Sequence, residues 1–492
     1  MKKFVFCILV FAFAQICTSN LFSQGYEIKV KIKNLHNDTL ILGHHFNKSM
    51  YPDDTLIVNK NGNGVFKKKK SLPGGMYLIL LPTKNYFDIL LSDNQTFSIE
   101  NDTCNFLKNM KVTGSLDNQL FYDYQRLIVD KRDEAKSLQV KREQAKTPEE
   151  KTSYANQLKA IDQEVKNFRT KVLTENPNLF FTKFIKAVTE IEVPDFPRDA
   201  KGKVTDSTFQ YRYYRSHYFD NFDVSDPRFL RTPFYEDKVK TYIEKVVPQV
   251  PDTLIPEVDM LIEKSRTSNE LFRYMLVTMF NHFAASQIMG MDAVLVHIAE
   301  KYYIPEATWS DTSFISKLKK QIARIKPNLI GSIAPNIMMM NLPDDHFIKA
   351  KTDTALRSNV YAGNPVYLHN IKAKFLVMIF WEATCSHCQK AMPVMYDVYK
   401  KIRDKGGEVM AINILGGIEG KKKWVDYVNE HGLYGWMNVW NPYDFSFKDK
   451  YDIYSTPVIY VLDENKKIIA KRINPEQVED IINFELKKKK NN

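Results

Sequence analysis

The sequence predicts a multi-domain chain: a C-terminal α/β domain, preceded by a small antiparallel β domain and an all-α domain. Three observations carry this. Residues 26 to 110 are strand-like, opening with the period-two alternation of YEIKVKIKNL; residues 116 to 173 are rich in Leu, Gln, Lys, Glu and Ala, and helical stretches punctuated by prolines follow to 326; after Pro327, apolar strand-like runs alternate with helical ones. At 492 residues the chain exceeds one core. A prior of about 100–200 residues per domain suggests about three. The expected division is a signal peptide over 1–24, the β domain over 25–112, the α-helical domain over 113–326 and the α/β domain over 327–492.

The N-terminal stretch MKKFVFCILVFAFAQICTSNLFSQG has two lysines, then an apolar run from Phe4 to Ala14, then polar residues, the layout of a secretory signal peptide. The run is shorter than the roughly 20 residues a spanning helix needs. Cleavage is expected between Ser19 and Gln24. Lipidation at Cys17 is the alternative, against which Ala14, Gln15 and Ile16 make a poor lipobox. Periplasm or cell envelope is thus the expected location. The apolar fraction of 44% and charged fraction of 26% argue against wholesale disorder. The net charge of +12 sits partly in the runs Lys67–Lys70 and Lys487–Lys490, which read as solvated surface or tail. Nucleic acid is not expected as a partner of an exported chain without a binding motif. Contact with anionic envelope lipid stays open.

In the β region, YEIKVKIKNL sets the alternation, and DTLILGHHF, DTLIVNKNGNGVFKKK, GGMYLILLP, FDILLS and QTFSIEN follow between turn residues. Asn61-Gly62-Asn63-Gly64 is a turn signal. His44 and His45 are adjacent, so on a strand they face opposite ways and do not share a ligand. Cys104 is expected to be a small apolar core residue. Over 116–173 two long helices are expected, with Pro148 in the first turn of the second. Further helices are expected over 207–220, 234–247, 256–265, 268–288, 290–303 and 310–326. The tyrosine-rich YRYYRSHYF at 211–219 reads as packing.

In the last region LVMIFW (376–381) is a buried-type strand, followed by a helix at 386–404, a strand at 408–414, a helix at 420–431, strands at 436–440, 458–462 and 467–472, and a helix at 475–487. Between the first strand and helix stands FWEATCSHCQK, with Cys385 and Cys388 two residues apart. A structural zinc site needs four ligands and the chain has no second such pair; His387 as a third donor cannot readily close a tetrahedron. A structural disulfide here would close too small a loop to stabilise much. A redox pair explains the placement: Cys385 lies at a helix start, where unsatisfied N–H groups and the helix dipole favour a thiolate, and Cys388, one turn further in, can resolve a mixed disulfide. His387, if protonated, adds to this effect; alternatively it faces solvent. Pro393 lies inside the helix, and Thr456-Pro457 precedes the strand VIYVL.

These motifs, in this order, make residues 331–487 similar to a thioredoxin-fold domain of the TlpA/ResA-like group of exported thiol-disulfide oxidoreductases. Gly331 to Pro335 resembles that group's Gly-x-x-Ala-Pro entry, the unit between Lys421 and Trp440 its insertion, and FWEATCSHC its Phe-Trp-x-x-x-Cys-x-x-Cys. Thr384 departs from the Trp that commonly precedes the first cysteine, and Ile379 from the buried Asp of many thioredoxins. The resemblance implies that Thr456-Pro457 is the Thr-cis-Pro loop facing the dithiol. It also places Trp381 in the motif's support, with Glu382 either a proton acceptor near Cys388 or an exposed carboxylate. The upstream two-thirds resembles multi-domain envelope proteins of Bacteroidota, an architecture without an assigned site.

The expected function is exchange of disulfides with envelope proteins, Cys385 attacking and Cys388 resolving, with cytochrome c maturation a subcase. No cofactor is expected beyond a redox-active Cys385–Cys388 disulfide, and no metal. The expected partners are protein disulfide substrates and an external electron donor or acceptor. The alternative is an envelope binding protein whose β and helical domains hold a partner, with the redox module accessory. A peroxidase would need a single peroxidatic cysteine in its own Pro/Thr-rich loop, which FWEATCSHC does not resemble.

Overall fold

The computed structural model describes residues 25–491. The expected signal peptide, its cleavage point and Cys17 lie outside the described residues. Two compact units emerge: residues through Val246 with Lys264–Leu271, and Val247–Glu263 with everything from Phe272 onward. Helices of the 113–326 region contribute to both.

The first unit begins with eight strands: β1 (Tyr26–Lys33), β2 (Thr39–Phe46), β3 (Ser49–Ile57), β4 (Asn63–Lys68), β5 (Gly75–Leu80), β6 (Tyr86–Leu91), β7 (Thr96–Asp102) and β8 (Lys111–Thr113). They form two four-stranded sheets, ordered β4-β1-β7-β8 and β3-β2-β5-β6. Alternation in β1 buries Tyr26, Ile28, Val30 and Ile32 while Lys29, Lys31 and Lys33 stay outward. One pair departs from the antiparallel expectation: β1 and β7 run parallel, since they are far apart in sequence and no hairpin constrains them. His44 bonds Asp53 at 2.7 Å and His45 bonds Asp88 at 2.8 Å, so the neighbours do serve separate partners. Cys104 is exposed, which corrects its expected place in the core. Asp102 Oδ1 accepts from the N–H groups of Cys104 and Asn105, each at 2.9 Å, and this side-chain turn carries the thiol outward.

Helix α1 (Leu116–Gln144) starts at Ser115, whose hydroxyl accepts from Asn118 N–H at 3.3 Å, and α2 (Pro148–Glu175) starts at a capping box of Thr147 and Glu150 with Pro148 in the first turn. Fully buried Asn118 joins α1 to β6 by accepting from Leu90 N–H at 2.7 Å and donating to Leu90 O at 2.8 Å. The tyrosine-rich helix spans Phe209–His217 and buries no residue fully; the packing falls to Tyr218 and Phe222 just beyond its end. The helix expected from Pro256 begins instead at Pro251, with Pro256 inside it.

In the second unit α3 (Thr312–Ile325) is capped by Asp311 and precedes a seven-stranded sheet. Two of its strands, β9 (Met338–Leu342) and β10 (Asn364–Tyr367), lie in a stretch whose short segments carried no strand signal. Then come β11 (Phe375–Trp381), α4 (Ser386–Arg403), β12 (Gly407–Asn413), α5 (Gly417–His431), β13 (Met437–Trp440), β14 (Val458–Asp463), β15 (Ile468–Lys471) and α6 (Pro475–Asn491). The sheet order is β10-β9-β13-β12-β11-β14-β15. β11 runs parallel to β12 and antiparallel to β14, and β14 and β15 form the expected hairpin.

Every residue of β11 is buried. Val377, Ile379 and Trp381 enter one core layer with Met392, Met395, Val425 and Ile482; Leu376, Met378 and Phe380 enter the other with Phe447, Tyr451 and Tyr460. A strand covered on both faces needs apolar residues at every position, hence a continuous run rather than alternation. Phe380→Ala should therefore cost about 3–5 kcal/mol, as large-to-small core changes do, and Phe380→Leu much less. Urea unfolding followed by tryptophan fluorescence checks this; equal losses for the two variants would contradict it.

Candidate functional site

β11 ends at Trp381, and the chain turns through Glu382, Ala383 and Thr384 into α4. Glu382 O accepts from Cys385 N–H at 3.3 Å, and Cys385 O accepts from Gln389 N–H at 2.9 Å. Cys385 is thus the N-cap residue of α4, half-buried, while Cys388 in the first turn is fully buried. Across from them the Thr456–Pro457 peptide bond is cis, and the Cys385 thiol donates to Thr456 O at 3.5 Å. Cys385, Cys388, Thr456 and Pro457 therefore share one site.

Burial pushes the Cys385 thiol up, but the Cys388 N–H, the Thr456 and Cys388 side chains and the His387 N–H together outweigh it, so its pKa lies below the ordinary thiol value. No formed cap hydrogen bond joins the sulfur to the helix. The N–H groups act on it electrostatically, as expected where a helix presents roughly half a positive charge. Cys388 has the opposite fate: burial pushes its thiol up to about 12, against smaller lowering effects of Thr456 and the Glu382 N–H. One turn of helix separates a sulfur poised as a thiolate from one held as a thiol.

The expected supporting residues distribute unevenly. His387 is exposed on the first turn. Glu382 is half-buried and acts on the Cys388 sulfur through its backbone N–H. Trp381 is wholly buried, its ring 5.4 Å from that of Tyr427. Ile379 lies in the core, and Thr384 is exposed beside Cys385.

Two residues escaped the sequence reading. Gln389 donates its side-chain amide to Ala383 O at 2.8 Å, closing the turn that enters the dithiol. Tyr427 of α5 donates to Gln389 O at 3.0 Å and stacks on His431 at 4.0 Å. Gln389 follows Cys388 directly but nothing in its neighbours marks a clamp; Tyr427 shares the apolar face of α5 with Trp424 and reads only as core. Among the described residues no group of three or more His, Cys, Asp or Glu is arranged to hold a metal ion, and no helix is long and apolar enough to cross a membrane.

Residues 345–471 match the AhpC/TSA family. The Thiol-disulfide oxidoreductase ResA of Bacillus thuringiensis is 28% identical over 128 residues, 26% of this chain and 69% of that protein. The C-terminal region is a ResA-like thioredoxin-fold domain of the AhpC/TSA family. Its curated relatives are thiol-disulfide oxidoreductases, which supports an oxidoreductase here. Upstream of the ResA-like domain, residues 26–121 and 142–328 match two domains of unknown function, DUF4369 and DUF5106. Among solved structures, a domain of a possible thiol-disulfide isomerase from Cytophaga hutchinsonii is 36% identical and covers 33% of this chain and 97% of its own, with a TM-score of 0.28. A thioredoxin-like protein from Bacteroides caccae is 16% identical over 60% of this chain and 99% of its own, with a TM-score of 0.43.

The asymmetry of the two thiols is measurable. In a Cys104→Ser background, iodoacetamide should modify Cys385 with a midpoint below the pH of about 8.5 typical of a free thiol, while Cys388 stays unmodified until the protein is unfolded. Peptide mass spectrometry against pH reads both; equal labelling of the two would contradict the assignment.

Proposed function

We propose that the chain is an exported thiol-disulfide oxidoreductase that exchanges disulfides with envelope proteins through Cys385 and Cys388. The observation that carries this reading is the geometry of the dithiol, half-buried Cys385 at the helix N-cap donating to Thr456 O and buried Cys388 one turn on, opposite cis Thr456-Pro457, with which the lowered and raised pKa directions accord. The Cys385 thiolate attacks one sulfur of a substrate disulfide, forming a Cys385–substrate disulfide and releasing the other substrate sulfur as a thiolate. Cys388 then gives up its proton and attacks the Cys385 sulfur. The Cys385–Cys388 disulfide forms, and the second substrate sulfur leaves and takes a proton. Two electrons pass to the substrate, and an external dithiol donor restores the protein. With an oxidising partner the same steps run in reverse.

Burial of Cys388 supports this order of events. A solvent-exposed second thiol would compete for substrate, whereas a buried, protonated one acts only after the first bond has formed. No further cofactor enters the cycle; the redox group is the Cys385–Cys388 pair itself. The envelope location rests on the N-terminal signal pattern, and service in cytochrome c maturation is one substrate choice within this reading.

The wild-type protein should catalyse insulin reduction by dithiothreitol. Cys385→Ser should lower the rate to background, and Cys388→Ser should accumulate mixed disulfides with envelope proteins that dithiothreitol releases. Lack of exchange by the wild type, together with no trapped partner, would falsify the proposal in favour of a binding protein with an accessory redox-like module.

A further inference from the structure

Thr456 faces Cys385, yet among the described residues no backbone–backbone hydrogen bond holds Tyr454, Ser455 or Thr456. Its upstream neighbour is tied down, Ile453 N–H donating to Lys448 O at 2.7 Å, and downstream Pro457 leads straight into β14. Between these fixed points the loop is held by side chains. Tyr454 is 69% exposed, and the group that grips it comes from the helical segment of the same compact unit. The Arg324 guanidinium at the end of α3 donates to the Tyr454 hydroxyl, lies 5.6 Å from the ring centroid, and pairs with Asp449 Oδ1 at 3.0 Å.

Arg324 is itself firmly placed. Arg324 O accepts from the Asn328 side-chain amide at 2.8 Å, and the same nitrogen donates to Lys450 O at 2.7 Å. Buried Lys471 of β15 then donates to Asn328 O at 2.6 Å and pairs with Asp292. The end of the helical segment is thereby stapled to the sheet and to the approach of the Thr456 loop. An arginine fork that hydrogen-bonds the hydroxyl of an aromatic ring and pairs with a neighbouring carboxylate fixes that ring from one side with two groups, which a single lysine nitrogen does less well.

We propose that Arg324 is a positioning residue for the dithiol: by gripping Tyr454 it sets the place of the Tyr454–Pro457 loop against the Cys385 sulfur. This rests on the dithiol reading above and gives part of the DUF5106 match, residues 142–328, a task in the chemistry of the domain that follows it. Its consequence is specific. Thr456 supplies both the carbonyl that accepts from the Cys385 thiol and a side chain that favours the thiolate. A loosened loop disturbs both, the carbonyl favouring the thiol and the side chain the thiolate, and so displaces the pKa of Cys385.

The test uses the mature full chain with Arg324→Met, Arg324→Lys and Tyr454→Ala, all at partly exposed positions. Arg324→Met and Tyr454→Ala should each displace the Cys385 alkylation profile by about half a pH unit, roughly a threefold change in thiolate below the pKa, with insulin reduction altered to a similar extent. Arg324→Lys should fall between. An unchanged profile in both Arg324→Met and Tyr454→Ala overturns the inference, and so does a drop in melting temperature with no change in profile. The profile is read without substrate. An inactive wild type would therefore defeat the oxidoreductase reading while the effect of Arg324 on Cys385 stayed measurable.

Discussion

The turn that carries Cys385 hangs from a strand with no solvent face. β11 is buried at every residue, held between β12 and β14 and packed into a core layer on each side. Because interiors are close-packed, such a strand cannot shift along its axis without disturbing both layers at once. Its end at Trp381 is thus a fixed point, and the distance from there to the first turn of α4 sets where the two sulfurs stand.

From that fixed point the two thiols acquire opposite characters by location alone. Cys385 is the last residue outside the helix, facing its unsatisfied N–H groups; Cys388, one turn on, points into the core layer that contains Trp381 and Met392. The same helix that favours charge on the first sulfur carries the second out of water, where charge is penalised. The Gln389 amide and the Tyr427 hydroxyl close the turn and brace the helix behind it. Exchange chemistry needs this division of labour, since attack calls for a thiolate and resolution for a thiol kept in reserve.

The other wall of the site is less self-sufficient. The cis Thr456–Pro457 bond leads into β14, and Tyr454 before it is gripped by an arginine from the helical segment. This arrangement links a region that matches a domain of unknown function to the loop that faces Cys385 through a side-chain contact in a single compact unit.

Local pattern was enough to read the α/β class, the order of strands and longer helices after Phe375, the two long helices with Pro148 at the start of the second, and the CxxC at a strand-to-helix junction. Each of these rests on periodicity, capping or spacing, which are properties of neighbours in the chain. What needed the tertiary structure were relations between distant residues. The parallel pairing of β1 with β7 and the recruitment of β9 and β10 to the sheet depend on where remote segments meet. So do the clamp of Gln389 and Tyr427 and the grip of Arg324 on Tyr454, 130 positions away. The sequence by itself therefore determined the chemistry available, two thiols at a helix start. Only the folded chain decided how far burial separates the two sulfurs and what holds the opposing loop, because burial and loop position follow from contacts that no local pattern encodes.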